Sequence, residues 1–273
     1  MNKDIAAPRC LVVLGVTDAL NRLVQISGKD DSWLDFNGYD FVIAADSGQK
    51  IARKLGLKID IYVGDFDSSI RPEGILRRCE GKTRTVEDLD LMSPHLLASG
   101  EDTPDPADLE QLSEAEREVL NQEPVASEIV ILPEVKDLTD SEAAIDLAFE
   151  RGFRDIDVLG GISGRIDHTM GNMGILSKYV GQARIRFFDG INYVTMLEPG
   201  THLVKPRGYH YMGLIAFNEN VVGLTIEGAK YEVTNFTLTP NATRGVSNEI
   251  TGDYAQITFQ QGKLLVINSR DIA

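Results

Sequence analysis

The chain has 273 residues, 42% of them hydrophobic and 25% charged, a length that suits two ordinary domains of roughly 100–200 residues each. No apolar run approaches the ~18 residues that a membrane helix requires, and two cysteines are too few for a disulfide framework or a thiolate metal site. A net charge of −15 argues against a nucleic-acid partner, which needs a basic face to displace counterions.

The elements begin with an apolar run from Cys10 to Val16, short and preceded by Asp4, which reads as a buried strand rather than a signal peptide. These features together predict a soluble protein of the cytoplasm. Phe41–Ala45 and Ile59–Val63 are further two-sided apolar runs. Between them Ile51, Ala52 and Leu55 recur at helical spacing before Gly56, which predicts a βαβ unit with parallel strands. From Glu87 to Glu128 there are 13 acidic residues against one basic residue, Arg117. This stretch carries −12 of the −15 and reads as a solvated surface insert without chemistry of its own. The α/β pattern resumes with a strand at 128–132, a helix over about 140–151, a strand at 156–159 and a helix over about 167–179. Thr139 with Glu142 three residues later is a capping-box signature, and Gly152 is a stop signal.

Beyond Ala183 the pattern changes to short alternating segments at 185–188, 193–197, 209–217, 221–226, 231–238, 254–259 and 263–267, separated by Gly, Pro and Asn turns. The expected fold is therefore an α/β N-terminal domain, a parallel Rossmann-like sheet flanked by helices, over 1–183 with the insert at about 87–128. A C-terminal all-β sandwich follows over 184–273.

In an open parallel sheet, ligands bind beyond the carboxyl ends of the strands. Asp46, Asp65 and Asp67 follow two of the predicted strands, Lys136 to Asp140 follow a third, and the glycine-rich Gly160–Gly164 follows a fourth. Clustered carboxylates repel unless a cation sits among them, and hard oxygen donors select Mg²⁺ or Mn²⁺. Asp65 and Asp67, two residues apart on extended chain, point the same way and suit one ion. Each also has a plainer reading: an Asp after a strand commonly caps a helix or closes a turn, and His168 stands equally well as a satisfied polar side chain. The glycines of Gly160–Gly164 permit close approach to an anion, which the Arg165 guanidinium can neutralise. No Walker-type, HExxH or Ser/His/Asp pattern occurs.

Ala45-Asp46-Ser47-Gly48, Gly64-Asp65-Phe66-Asp67-Ser68, Lys136-Asp137-Leu138-Thr139-Asp140-Ser141-Glu142, Gly164-Arg165-Ile166-Asp167-His168 with Asn172, and Val246-Ser247-Asn248-Glu249 occur in the order seen in thiamine pyrophosphokinases. The sequence resembles that family over most of its length, the insert and the first few residues apart. The resemblance implies an N-terminal nucleotide domain and a C-terminal sandwich in a homodimer with active sites between subunits. It also implies transfer of pyrophosphate from ATP to the thiamine hydroxyl, a thiamine diphosphokinase reaction. Carried onto matching positions, it makes Asp46, Asp65, Asp67 and Asp137 magnesium ligands, with Asp65, Asp67, Asp137 and Asp167 catalytic. ATP would be bound by Asp46, Ser68, Lys136, Asp140, Gly164, Arg165, His168 and Asn172, and thiamine by Ser247 and Asn248, contributed by the partner subunit. Asp167 or a neighbouring carboxylate would orient or deprotonate the thiamine hydroxyl, a choice the sequence does not make. Ser47 and Ser163 depart from the family's usual glycines, and the C-terminal tryptophan that some members stack on thiamine is missing, since the only one is Trp33. Tyr254 and Phe259 are the replacements offered for it. A metal-dependent nucleotide or diphosphate hydrolase using the same carboxylates, or a non-catalytic nucleotide sensor, are the competing readings.

Overall fold

The computed structural model describes residues 7–15, 35–65, 75–78 (backbone only), 128–132, 137–162 and 164–271. The acidic stretch 87–127, Asp67, Ser68, Lys136 and Ser163 lie outside these residues. The chain divides into two compact units, one drawn from residues 8–15 and 36–153, the other from 154–271.

The first unit is a parallel sheet. Its strands are β1 (Arg9–Val13), β2 (Phe41–Ala45), β3 (Ile61–Gly64), β4 (Ile75–Arg78) and β5 (Glu128–Ile131), in the order β1-β2-β3-β5-β4. Residues on both faces of β1, β2 and β3 are buried, as expected of strands covered on two sides. Helix α1 (Gly48–Lys54) connects β2 to β3, and α2 (Asp140–Glu150) packs on β1, β2 and β3 through Ala144, Ile145, Leu147 and Ala148. Both helices end as their glycines predict. After α2, Gly152 takes φ +91°, its N–H donates to the Phe149 carbonyl, and the Phe153 N–H donates to the Ala148 carbonyl at 3.1 Å. Gly56 closes α1 in the same way, with Leu57 N–H donating to the Ala52 carbonyl at 3.0 Å. At the other end of α2 the Thr139 hydroxyl accepts from the Glu142 N–H at 3.2 Å, which is the N-cap half of the capping box read from sequence.

The second unit has two layers. One is a mixed sheet of β6 (Asp155–Leu159), β7 (Arg184–Phe188), β8 (Asn192–Leu197), β10 (Tyr211–Ala216) and β14 (Leu264–Ser269), in the order β10-β14-β8-β7-β6. Here β6 and β7 run parallel and the rest antiparallel, with α3 (Ile166–Tyr179) packed on β7 and β8. The other layer is an antiparallel sheet of β9 (Gly200–Val204), β11 (Val221–Glu227), β12 (Val233–Leu238) and β13 (Ala255–Phe259), in the order β12-β11-β13-β9. Their facing side chains form one core containing Met212, Leu214, Leu224, Ile257, Phe259 and Val266. The α/β part and the sandwich expected from sequence are both present. One layer of the sandwich extends through the parallel pair β6–β7, a feature that alternation along single strands does not reveal.

The strand β9 carries no clear apolar alternation and lies at a sheet edge, with most of its residues exposed, held to β13 by backbone pairing and by Thr201 and Thr258 hydroxyls 3.0 Å apart. The consecutive strands β13 and β14 do not pair with each other but cross from one layer to the other. Gly262 makes that corner with φ +95°, where a Cβ would stand 2.4 Å from the Asn220 carbonyl oxygen.

Candidate active site

At the carboxyl edge of the first unit, Ala45 of β2 is in register with Val63 of β3, so Asp46 and Asp65 follow adjacent strands. Asp46 turns out of the sheet with φ 43°, one of five described non-glycine residues with positive φ, and its N–H donates to the Val63 carbonyl at 2.8 Å. Gly64 lies against it; a Cβ at Gly64 would come 3.4 Å from the Asp46 Cα, so a larger side chain there would press on the turn. Both carboxylates are partly exposed. Leu132 N–H donates to the Gly64 carbonyl at 2.9 Å, which brings the chain leaving β5 to the same edge. Asp137 is exposed in the turn before α2, and Asp140 opens that helix.

Ser47, one of the departures from the glycine pattern, has a compensating partner. A Cβ on Gly15 would stand 1.7 Å from the Ser47 Oγ, so the hydroxyl occupies space that Gly15 leaves open at the end of β1. Gly48 is equally confined, because a Cβ there would meet the Val13 carbonyl oxygen at 2.1 Å. The glycines pack the β2–α1 turn down onto β1.

In the second unit, Gly160, Gly161 and Gly164 follow β6 with φ of 95°, 76° and 86°, a run of left-handed conformations that side-chain-bearing residues resist. Asn172, 3% exposed, reaches from α3 and donates from Nδ2 to the Gly161 carbonyl at 2.6 Å. Its amide thus braces the loop. Arg165 and Asp167 form a two-pronged pair, Nη2 to Oδ2 at 2.5 Å and Nε to Oδ1 at 3.1 Å, on the open surface at the start of α3. The hydrogen bond with Asp167 raises the Arg165 pKa, and the same bond from Arg165 lowers that of Asp167. A carboxylate held below its ordinary range is a weaker base, which counts against Asp167 as the proton acceptor while it keeps this partner. His168 is exposed beside them.

Farther along the second unit, Ser247 is exposed with φ 59°. Asn248 is 5% exposed, and its side chain is fully engaged: Nδ2 donates to the Tyr231 carbonyl at 2.8 Å, and Oδ1 accepts from the Tyr231 and Glu249 N–H groups, each at 2.9 Å. The amide therefore fixes the turn that carries Tyr231, whose ring is 61% exposed with Lys230 Nζ 5.7 Å from its centroid. Lys230 also pairs with Glu249 at 2.6 Å, and that hydrogen bond lowers the Glu249 pKa. Of the two aromatics offered by sequence, Phe259 is 2% exposed inside the sandwich core, whereas Tyr254 is 48% exposed. Sequence reasoning misses Tyr231 because nothing along the chain joins it to Ser247 and Asn248; the link is made by the side-chain amide.

The residues of the first unit thus gather Asp46 and Asp65 at one edge, and those of the second gather Arg165, Asp167 and Asn172 about one glycine loop. Among the described residues no group of three or more His, Cys, Asp or Glu side chains is spaced to hold a metal; of the four ligands expected from sequence, Asp67 is not among them. The donors present at the first edge, two partly exposed carboxylates on adjacent strand ends, are of the hard oxygen type that suits Mg²⁺.

Comparison with known proteins identifies the family. Residues 107–188 match the family described as thiamin pyrophosphokinase, catalytic domain, and residues 201–264 match thiamin pyrophosphokinase, vitamin B1 binding domain. Thiamine pyrophosphokinase of Bacillus subtilis is 32% identical over 166 residues, 60% of this chain and 77% of its own. Thiamin pyrophosphokinase 1 of Caenorhabditis elegans is 28% identical over 135 residues, 46% of this chain and 55% of its own. Among solved structures, that of the Bacillus subtilis enzyme has the same fold, with a TM-score of 0.68 at 24% identity over 97% of this chain and 100% of that one. The thiamin pyrophosphokinase of Geobacillus thermodenitrificans gives 0.63 at 26% identity over 97% and 98%. With two successive family matches and a relative covered over most of its length, this chain belongs to the thiamine pyrophosphokinase family.

Proposed function

We propose that the protein is a thiamine diphosphokinase, which transfers the β,γ-pyrophosphoryl group of ATP to the hydroxyl of thiamine and releases thiamine diphosphate and AMP. The observation that carries this reading is the turn at Asp46 and Asp65, where two carboxylates stand on adjacent strand ends of a chain with the family's two matched regions. Asp46, Asp65, Asp67 and Asp137 would hold Mg²⁺, which when bound neutralises polyphosphate charge. Lys136 and Arg165 would offset what remains, since transfer of this kind depends on positioning and charge more than on covalent help. Ser68, Asp140, Gly164 and His168 would complete the ATP site, with Asn172 acting through the loop it braces. Thiamine would lie against Ser247 and the Asn248 turn, with Tyr231 supplying the aromatic face in place of the missing tryptophan.

We further assign nucleotide handling to 1–183 and thiamine binding to 184–273, a division supported by the two matched regions, which part between residues 188 and 201. A homodimer with active sites between subunits and a cytoplasmic location complete the reading. What supports the latter is the scarcity of cysteine, two residues in 273, which suits a reducing compartment. Among the described residues no helix is long and apolar enough to cross a membrane. Incubation with ATP, Mg²⁺ and thiamine, followed by separation of products, tests the proposal directly. AMP and thiamine diphosphate in equal amounts are expected; ADP, or phosphate release indifferent to thiamine, would favour the hydrolase, and ATP binding without turnover the sensor.

A further inference from the structure

The turn that Asn248 braces carries more than the Tyr231 ring. Residues 229–231 and 248–250 are joined by the Lys230 N–H, which donates to the Glu249 carbonyl at 2.8 Å, and by a bridge between Ala229 and Ile250. The Asn248 side chain adds its two hydrogen bonds to the Tyr231 backbone. The Glu232 carboxylate closes the turn by accepting from the Gly228 N–H at 2.7 Å. On its other side Asn248 exchanges backbone hydrogen bonds with Met212, at 2.7 and 3.1 Å, which ties the turn to β10. The side chains at 230, 231 and 249 therefore stand on a platform held from both sides.

On that platform one ammonium serves two acceptors. Lys230 Nζ lies 2.6 Å from Glu249 Oε1 and 5.7 Å from the centroid of the Tyr231 ring, so a carboxylate and an aromatic ring flank the same positive charge. The hydrogen bond between the two side chains raises the Lys230 pKa and lowers that of Glu249, so both are charged at neutral pH. They are also open, with side chains 49% and 30% exposed. An exposed pair of this kind contributes little to stability, and a bound cation can take the place of one partner. Tyr211, at the start of β10, does not compete for that place, because its hydroxyl donates to Asp271 at 3.0 Å. Lysine is a poor permanent occupant of an aromatic face, since its ammonium is compact and strongly hydrated. A ring cation with delocalised charge sheds water more readily and covers more of the tyrosine.

We infer that Lys230 is a specificity-determining residue, which holds the cation place between Tyr231 and Glu249 until the thiazolium ring of the acceptor takes it. The inference rests on the reading of the Asn248 turn as the thiamine site. A cationic acceptor keeps Glu249 paired while Lys230, on its flexible stem, turns outward into water. A neutral acceptor of the same shape offers the carboxylate nothing in exchange, so the site selects by charge as well as by fit.

Calorimetric titration of the full chain, with Mg²⁺ and α,β-methylene ATP present to block transfer, tests this with two ligands. One is thiamine; the other is its analogue with carbon in place of the quaternary nitrogen, which has the same shape and no charge. The unaltered protein should bind thiamine more tightly. Lys230→Met should tighten thiamine about threefold or more and leave the analogue within about twofold, because the competing cation is gone. Glu249→Gln should weaken thiamine about tenfold and again spare the analogue. Both side chains are exposed, so neither substitution disturbs the core. A pair that only braced the turn would give the opposite result, with each substitution weakening both ligands alike. Thiamine bound no more tightly by the Lys230→Met variant, or equal gains for the two ligands, would overturn the inference and leave the turn as the thiamine site. Failure of the unaltered protein and both variants to bind thiamine would overturn that reading and the inference with it.

Discussion

Asp46 occupies a backbone conformation that costs an ordinary L-residue about 1–2 kcal/mol, and Asp is among the residues that tolerate it best. A side chain kept there against its own preference points to a task that glycine cannot perform. Asp46→Gly is therefore expected to hold or raise the unfolding free energy, and Asp46→Ala to lower it by about 1 kcal/mol, while both lose most turnover. Urea denaturation beside a product assay separates the two effects, and full activity in the glycine variant would remove Asp46 from the site. Asp65→Asn, with no backbone strain to relieve, should lose activity about a hundredfold or more at unchanged stability. At Asn248 the expectation is reversed. Truncation to Ala removes the acceptor of the part-buried Tyr231 and Glu249 N–H groups and should cost about 1–2 kcal/mol in stability, with a raised KM for thiamine as the Tyr231 turn loosens. Residue types at strand ends were legible because carboxylate chemistry and glycine conformations are local. The bracing roles of Asn172 and Asn248 were not, because the same amide that can meet a ligand can equally hold a loop, and only the fold says which carbonyl lies within reach.

At the scale of elements, the helices that precede and follow β6 in the chain offer a matched pair of glycine tests. Gly152 sits at φ +91° with nothing within 4 Å of where a Cβ would stand, so Gly152→Ala meets strain without crowding and should lose about 1 kcal/mol. Gly171 lies inside α3, also with open space about it, and Gly171→Ala should gain about 0.5–1 kcal/mol from helix propensity alone. Thermal unfolding of the two variants should therefore move in opposite directions; a shared direction would show that local backbone preference does not decide stability there. The contrast also explains which elements could be read in advance. Helices with caps and strands with two buried faces announce themselves through short-range pattern, as α2 and β2 do. The edge strands β4 and β9 do not, because a strand paired on one side needs little apolar alternation and its partner lies far away in sequence.

For the molecule as a whole, a net charge of −15 sets a field that both substrates of the proposed reaction must enter, and they carry opposite signs. Magnesium-bound ATP is an anion and is repelled at long range; thiamine, with its quaternary thiazolium nitrogen, is a cation and is attracted. The Debye length falls from about 30 Å at 0.01 M salt to about 8 Å at 0.15 M, so adding salt removes most of this field beyond the immediate site. Contacts within the site, such as those expected at Asp46 and Asp65, are screened much less. Raising ionic strength over that range should therefore lower the KM for the nucleotide and raise that for thiamine, with kcat little changed. Most of the charge lies between Glu87 and Glu128, so replacing the acidic residues of that stretch with their amides should flatten both trends together. Initial-rate measurements at saturating partner substrate check both statements. Parallel movement of the two KM values would assign the salt effect to the fold or to specific ions, and a neutralised stretch with undiminished trends would place the effective charge at the site itself.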